Sequence, residues 1–254
     1  MNYPNLEKLI NIVKILRSPD GCPWDKEQTH KTLRPNMLEE AYEAVEAIDE
    51  GNLLHLKEEL GDVLLQVVLH SQIAKDENAF DIEDVASELN EKLIRRHPHI
   101  FGNTEAKTSD DVLVNWDKIK KEEKKERISA MDGICKAQSA LISAQKISKR
   151  AVKTGFEWES EDDLYKCIMS EFNEFKQACK NNDTDNMEEE MGDILFAVVN
   201  LARWNKIDAE QALINSNNKF MKRFRKMEEL KEKPLNEYSP AEYEILWQKA
   251  KQLV

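Results

Sequence analysis

The sequence predicts an all-α protein built as two tandem helical bundles, and three observations carry that prediction. Only 7 Gly and 7 Pro accompany 34% charged residues, a balance that favours long helices over many-turned sheets. Apolar residues recur at three- and four-residue spacing along extended stretches. The chain is also written twice, with KEELGDVLLQVVLHSQIA around Glu59 answered by EEEMGDILFAVVNLARWN around Glu190.

In the first half, a helix from Asn5 to Leu16 sets Leu6, Leu9, Ile10, Val13 and Leu16 on one stripe, and the loop SPDGCPWD ends it. A second helix carries Leu38, Tyr42, Val45 and Ile48 on its apolar face and stops near Gly51-Asn52. A longer one follows from Leu53 towards Ala74. Asp81, with Asp84 three residues on, opens a fourth as an imperfect capping pair, and Pro98 closes it. The fifth runs from about Ser109 into Lys125.

The second half repeats the string. Ser160 with Asp163 is a capping signature, and Ser239-Pro240 places an N-cap before Pro at the first helical position. The run KIKKEEKKER, Lys118 to Arg127, has no apolar stripe after Ile119 and reads as a solvated helix end leading into a linker. The boundary falls near Arg127 to Gly133, giving domains 1–127 and 128–254, each large enough for its own core.

Glu40, Glu43, Glu59 and Asp62 recur as Glu171, Glu174, Glu190 and Asp193, every one 131 residues later. Trp116 and Trp247 keep the same offset, while Lys92 and Arg96 in NEKLIRRH align with Lys219 and Arg223 in NNKFMKRF. GCPW and GFEW are further counterparts at slightly different spacing, so the chain is a duplication with a short indel.

The net charge of -12 argues against a non-specific DNA or RNA binder, which draws on a broad basic surface. It leaves room for a nucleotide, because bound metal ions can supply local positive charge. Cys22, Cys135, Cys167 and Cys179 form no CxxC pair and no zinc spacing, as expected of reduced thiols in the cytoplasm. Charged residues among Met1 to Leu16 argue against a signal peptide, and no apolar run reaches membrane-spanning length.

Residues three apart share a helix face, so Glu40 pairs with Glu43, Glu59 with Asp62, and likewise Glu171 with Glu174 and Glu190 with Asp193. Two antiparallel helices would then set four acids against one another. A carboxylate pair at contact repels by about 4 kcal/mol at a near-surface dielectric, so a cation is expected between them. Ligation by oxygen alone suits a hard cation, above all Mg²⁺ with Mn²⁺ as its substitute, bridging to substrate phosphates. One ExxE alone would more simply be a solvated face; two matched pairs per half in register reverse that preference. Gly61 and Gly192, each inside a helix between the Glu and the Asp, predict close approach of a facing helix or a phosphate.

EExxE (Glu39, Glu40, Glu43) followed by ExxD (Glu59, Asp62), with SExxE and ExxD as a second copy, resembles the MazG nucleoside triphosphate pyrophosphohydrolases over nearly the whole chain. Ser170 departs from the pattern where Glu39 stands. The resemblance implies interlocked helical bundles in a homodimer and Mg²⁺-dependent cleavage of nucleoside triphosphates to monophosphate and pyrophosphate. By the same resemblance Glu171, Glu174, Glu190 and Asp193 hold Mg²⁺, Glu189, Lys219, Lys222 and Arg223 approach the substrate, and Trp247 packs near the nucleotide. The second half is implied to be the main catalytic unit, with Glu171 or Glu174 as the base.

Other readings fit less well. Walker A and GxGxxG phosphate cradles are absent. A ferritin-like di-iron bundle needs two Glu-x-x-His pairs, and only Glu27 with His30 has that spacing. His97 and His99 flank Pro98 and read as a helix-ending turn. A helical scaffold or regulatory binding module, its acids merely solvated, is the rival from another class, and metal affinity separates the two.

Overall fold

The computed structural model describes residues 3–123 and 126–254, with the backbone alone for Lys121. The described residues contain helices and no strands. They divide into two compact units, Met1–Lys124 and Lys125–Val254.

The first unit holds α1 (Pro4–Leu16), α2 (Pro23–Glu27), α3 (Arg34–Glu50), α4 (Leu53–Asp76), α5 (Ile82–Arg96), α6 (Pro98–Phe101) and α7 (Ser109–Glu122). Its core joins Val13 of α1 and Leu33 to Val68, Leu69 and Ile73 of α4, with Leu9, Ile10, Leu65 and Ile82 around them. The α3–α4 hairpin turns in two residues. Gly51 takes a left-handed φ of 67° at the end of α3, and the Asn52 side chain then accepts from the backbone N–H groups of Leu54 and His55 to open α4. The Asp81–Asp84 pair is a complete capping box, each side chain accepting from the other's backbone.

The apolar face expected on α3 is corrected. Leu38, Tyr42, Val45 and Ile48 are exposed on α3, while Ala44 and Ala47 are its buried residues, so small side chains make the close seam with α4. On α4 the apolar stripe expected to be incompletely covered within one chain is so: Val68 is in the core, Leu64 is exposed, and Val63 and Val67 lie between. Short helices α2 and α6 occupy stretches read as loop and as a helix stop. Helix α7 ends at Glu122; the expected extension to Lys125 falls in part on Lys124 and Lys125, outside the described residues.

The second unit holds α8 (Ala140–Val152), α9 (Glu161–Asn181), α10 (Thr184–Trp204), α11 (Ala209–Leu230), a 3-10 turn (Leu235–Glu237) and α12 (Pro240–Leu253). Helices α9 and α10 form the counterpart of the α3–α4 hairpin. Asn182 supplies the left-handed residue (φ 54°) in place of Gly51, and Asp183 caps α10 in place of Asn52. Helix α8 packs on α10 and α11, and α11 packs on α12. A cluster of Met227, Leu246 and Ala250, covered by Leu230, Leu235, Tyr238, Tyr243 and Trp247, holds that last pair together. Ser239 opens α12 in a capping box with Glu242, which Lys233 also contacts at 2.8 Å.

Candidate metal centre and basic sites

Each hairpin brings three carboxylates together. In the first unit Glu40 and Glu43, one turn apart on α3, meet Glu59 of α4; in the second, Glu171 and Glu174 of α9 meet Glu190 of α10. Within each trio, one oxygen from every residue lies within 4.8 Å of the others. Asp62 and Asp193 stand outside these trios, yet close enough to raise the carboxyls of Glu40 and Glu190 respectively.

The electrostatics follow from that crowding. Loss of solvent and then Glu174, Glu171, Asp193 and Glu189 push the Glu190 carboxyl above the ordinary glutamate range. Glu40 is raised by loss of solvent, then by Asp62, Glu43, Glu39 and Glu59. Glu43 is raised chiefly by loss of solvent and by Glu59, with nearby His55 opposing. Carboxyls held up by loss of solvent and then by one another are a site short of positive charge, and an all-oxygen donor set matches a hard divalent cation. The trios therefore fit Mg²⁺ in residue type and spacing.

The copies differ at their margins. Ser170, which replaces the Glu39 position, donates its hydroxyl to Glu174 Oε1 at 2.9 Å and so orients that carboxylate. Cys167 lies 3.5 Å from Glu171 Oε1, and burial followed by Glu171 pushes its thiol up. In the first unit His55, one turn before Glu59, places Nε2 3.1 Å from Glu59 Oε1. Reading the sequence missed all three contacts, although the four-residue spacing of His55 and Glu59 was visible there.

Of the two approaches expected at Gly61 and Gly192, that of a facing helix is not met: a Cβ added at either finds nothing within 4 Å in this chain. No close helix approach explains them among the described residues.

The expected substrate residues gather elsewhere in the second unit. Lys219 and Lys222 are exposed on α11, Arg223 is half-buried there, and Trp247 on α12 packs against Phe220 with ring centroids 5.3 Å apart. No hydrogen bond or ion pair among the described residues joins these cations to Glu171, Glu174 or Glu190. Glu189 is exposed on α10 beside Glu190. The first unit presents Lys92, Arg95 and Arg96 on α5, with the Arg96 guanidinium 5.3 Å from the centre of the Trp116 ring. Contrary to the reading of KIKKEEKKER as a solvated run, its Glu123 is largely buried by these arginines. Glu123 Oε1 accepts from Arg95 Nε at 2.6 Å, and Oε2 accepts from Arg96 at 2.5 and 3.0 Å. Hydrogen bonds from Arg96, then Arg95, draw its carboxyl down to about 2.

Comparison with known proteins agrees with this duplicated geometry. The model of the MazG nucleotide pyrophosphohydrolase domain matches twice, over residues 28–101 and 159–227, and each match contains one trio. The chain is 47% identical over 249 residues to the nucleoside triphosphate pyrophosphohydrolase/pyrophosphatase MazG of Thermotoga maritima, covering 96% of this chain and 95% of that one. It is 44% identical over 232 residues to the nucleoside triphosphate pyrophosphohydrolase of Escherichia coli K12, covering 89% and 88%. It is also 44% identical over 255 residues to the uncharacterized protein YabN of Bacillus subtilis, covering 98% of this chain and 52% of the relative. With two domain matches holding the two trios, and relatives aligned over nearly its whole length, the chain belongs to the MazG nucleotide pyrophosphohydrolase family.

Proposed function

We propose that this protein is a Mg²⁺-dependent nucleoside triphosphate pyrophosphohydrolase that converts ribo- and deoxynucleoside triphosphates to monophosphate and pyrophosphate. One observation carries the reading: three carboxylates converge within 4.8 Å at the same register of both hairpins, in a family whose named relatives have this activity. The role that follows is housekeeping of the cytoplasmic nucleotide pool or a stress-related one. No helix among the described residues is long and apolar enough to cross a membrane.

Glu171, Glu174, Glu190 and Asp193 would hold the Mg²⁺ (or Mn²⁺) of the main site, and Glu40, Glu43, Glu59 and Asp62 would form its counterpart in the first half. Bound there, the metal would supply positive charge to the polyphosphate and to the attacking water. Glu171 or Glu174 would take the proton of the attacking water as its oxygen bonds to phosphorus and the α–β phosphoanhydride bond breaks, giving monophosphate and pyrophosphate. Lys219, Lys222 and Arg223 neutralise phosphate oxygens, Glu189 borders the substrate, and Trp247 lies near the nucleotide. The domains of this reading are 1–127 and 128–254, with the second as the main catalytic unit.

The exposed apolar faces of α3 and α9, including Tyr42, Ile48, Tyr165 and Met169, support a homodimer of interlocked bundles in which a second copy covers them. Light scattering at micromolar concentration tests it. A mass near the 29.5 kDa of one chain rejects the dimer.

Product analysis tests the activity. Ion-exchange separation of ATP, dGTP and dTTP reactions is expected to show monophosphate and pyrophosphate, and diphosphate with orthophosphate would refute the reading. The same panel ranks bases and sugars.

A further inference from the structure

The two halves treat their matching cations in opposite ways. Arg95 and Arg96 of α5 align with Lys222 and Arg223 of α11, and Trp116 of α7 aligns with Trp247 of α12. In the first unit one carboxylate, Glu123, closes over both arginines. Arg96 retains only 13% of its side-chain exposure and Glu123 only 14%. In the second unit, the position that aligns with Glu123 through the tryptophans is Val254, which has no side-chain carboxylate. The contrast reaches a single atom: Arg96 Nε is bonded to Glu123 Oε2 at 3.0 Å, whereas Arg223 Nε is buried and has no hydrogen-bond partner among the described residues. A buried guanidinium N–H left unpaired carries a free-energy cost that an anionic oxygen would remove.

We propose that the first half contains a second polyphosphate-binding site on Arg95 and Arg96 that Glu123 holds shut by occupying the phosphate position, while the matching site at Lys222 and Arg223 stands open. This rests on the reading that the α11 cations receive the triphosphate. Two oxygens of one carboxylate engaging two guanidinium groups mimic the contacts of a phosphate with its several oxygens. Glu123 is tethered to α7, so it competes at high effective concentration with any ligand from solution. A triphosphate reaches the second-half cations first, and an asymmetry of use arises between halves that share the carboxylate trio.

The test is calorimetric titration of the full chain with α,β-methylene ATP and Mg²⁺, comparing the unaltered protein, Glu123→Ala, and both in a Lys222→Ala, Arg223→Ala background. One analogue per chain is expected for the unaltered protein, two for Glu123→Ala, none for the background alone, and one when Glu123→Ala is added to it. Full binding by the background would remove the premise that the α11 cations receive the triphosphate. Loss of binding there, with no site gained by Glu123→Ala at unchanged helicity, would overturn the shut site itself, as would two sites in the unaltered chain. Glu123→Gln removes the charge but keeps the shape; where Glu123→Ala lowers helicity, a second site in Glu123→Gln supports the proposal and its absence overturns it.

Discussion

His55 and Glu59 face each other one turn apart on α4, with Nε2 3.1 Å from Oε1, while the other ring nitrogen of His55 lies 3.3 Å from Glu50. The imidazole thus orients one member of the first carboxylate trio. Its counterpart in the second half is Asn186, whose backbone N–H is instead bonded to the Asp183 cap. Partners of this kind typically change metal affinity by about 10- to 100-fold when removed. His55→Asn should therefore weaken Mn²⁺ binding to the first half by about 10-fold. Calorimetry in a Glu190→Gln, Asp193→Asn background reads that half by itself, and unchanged affinity would show that His55 only packs beside the site.

Ser170 has the parallel part in the second half, where its hydroxyl donates to Glu174 Oε1 at 2.9 Å. Ser170→Ala removes that donor without touching the trio, and a loss of about 10-fold in Mn²⁺ affinity is expected. Ser170→Glu restores the EExxE pattern of the first half but adds like charge, which should raise the Glu190 carboxyl further. Proton release on Mn²⁺ binding, followed in two buffers of different ionisation enthalpy, should then increase. No increase would mean that position 170 is electrically remote from the centre.

These contacts show what was legible in the sequence and what was not. The hairpins and their acids were readable because a helix places residues three apart on one face and because a 131-residue offset repeats that pattern. The caps at Asp81, Ser160 and Ser239 were readable for a similar local reason. The buried face of α3 was not: hydrophobicity selected Tyr42 and Ile48, but the narrow seam against α4 admits Ala44 and Ala47. Glu123 was hidden too. Within KIKKEEKKER it resembles a solvated charge, and only the return of α7 onto α5 brings it to Arg95 and Arg96.

Crowded acids also give the metal-free protein a characteristic pH response. Glu40, Glu43 and Glu190 are raised above the ordinary value of 4.5, so the folded chain binds their protons more tightly than the unfolded chain does. Their contribution favours folding as pH falls towards 4.5, and it is lost as pH rises through the raised values. Glu123 and Glu242, both drawn down to about 2, act oppositely: their stabilisation is present above 4.5 and disappears as pH falls towards 2. In EDTA the melting temperature should rise from pH 7 to pH 5 and drop below pH 4. Mg²⁺ should raise it at pH 7 and flatten the upper limb. A metal-free melting temperature that falls steadily from pH 7 would contradict the repulsion inferred for the trios.

Gly192 lies within α10, two residues after Glu190, with open space where a Cβ would stand. Gly192→Ala should therefore stabilise the helix, by up to about 1 kcal/mol, and raise the urea midpoint. A lowered midpoint would mean that something outside the single chain fills the space, such as a helix of a second copy.

The division of labour between the halves gives the sharpest comparison. Both carry a trio, so the carboxylates by themselves allow two working centres. The cations do not share that symmetry, since Glu123 occupies Arg95 and Arg96 while Arg223 keeps a buried Nε with no partner among the described residues. Turnover needs metal ligands and phosphate ligands together, because the metal and the cations share the charge of the polyphosphate. Glu190→Gln with Asp193→Asn should then remove most activity. Several kcal/mol of transition-state stabilisation from the metal corresponds to a loss on the order of 100-fold or more. Glu59→Gln with Asp62→Asn removes ligands from a centre whose cations are already engaged, and a loss below about 5-fold is expected, well under the tenfold that 1.4 kcal/mol represents. Pyrophosphate release measured for both variants, at matched helicity by circular dichroism, decides between the halves. Should the first-half variant be the inactive one, the pairing of Glu123 with the arginines must open during turnover, and the working site lies on α3 and α4.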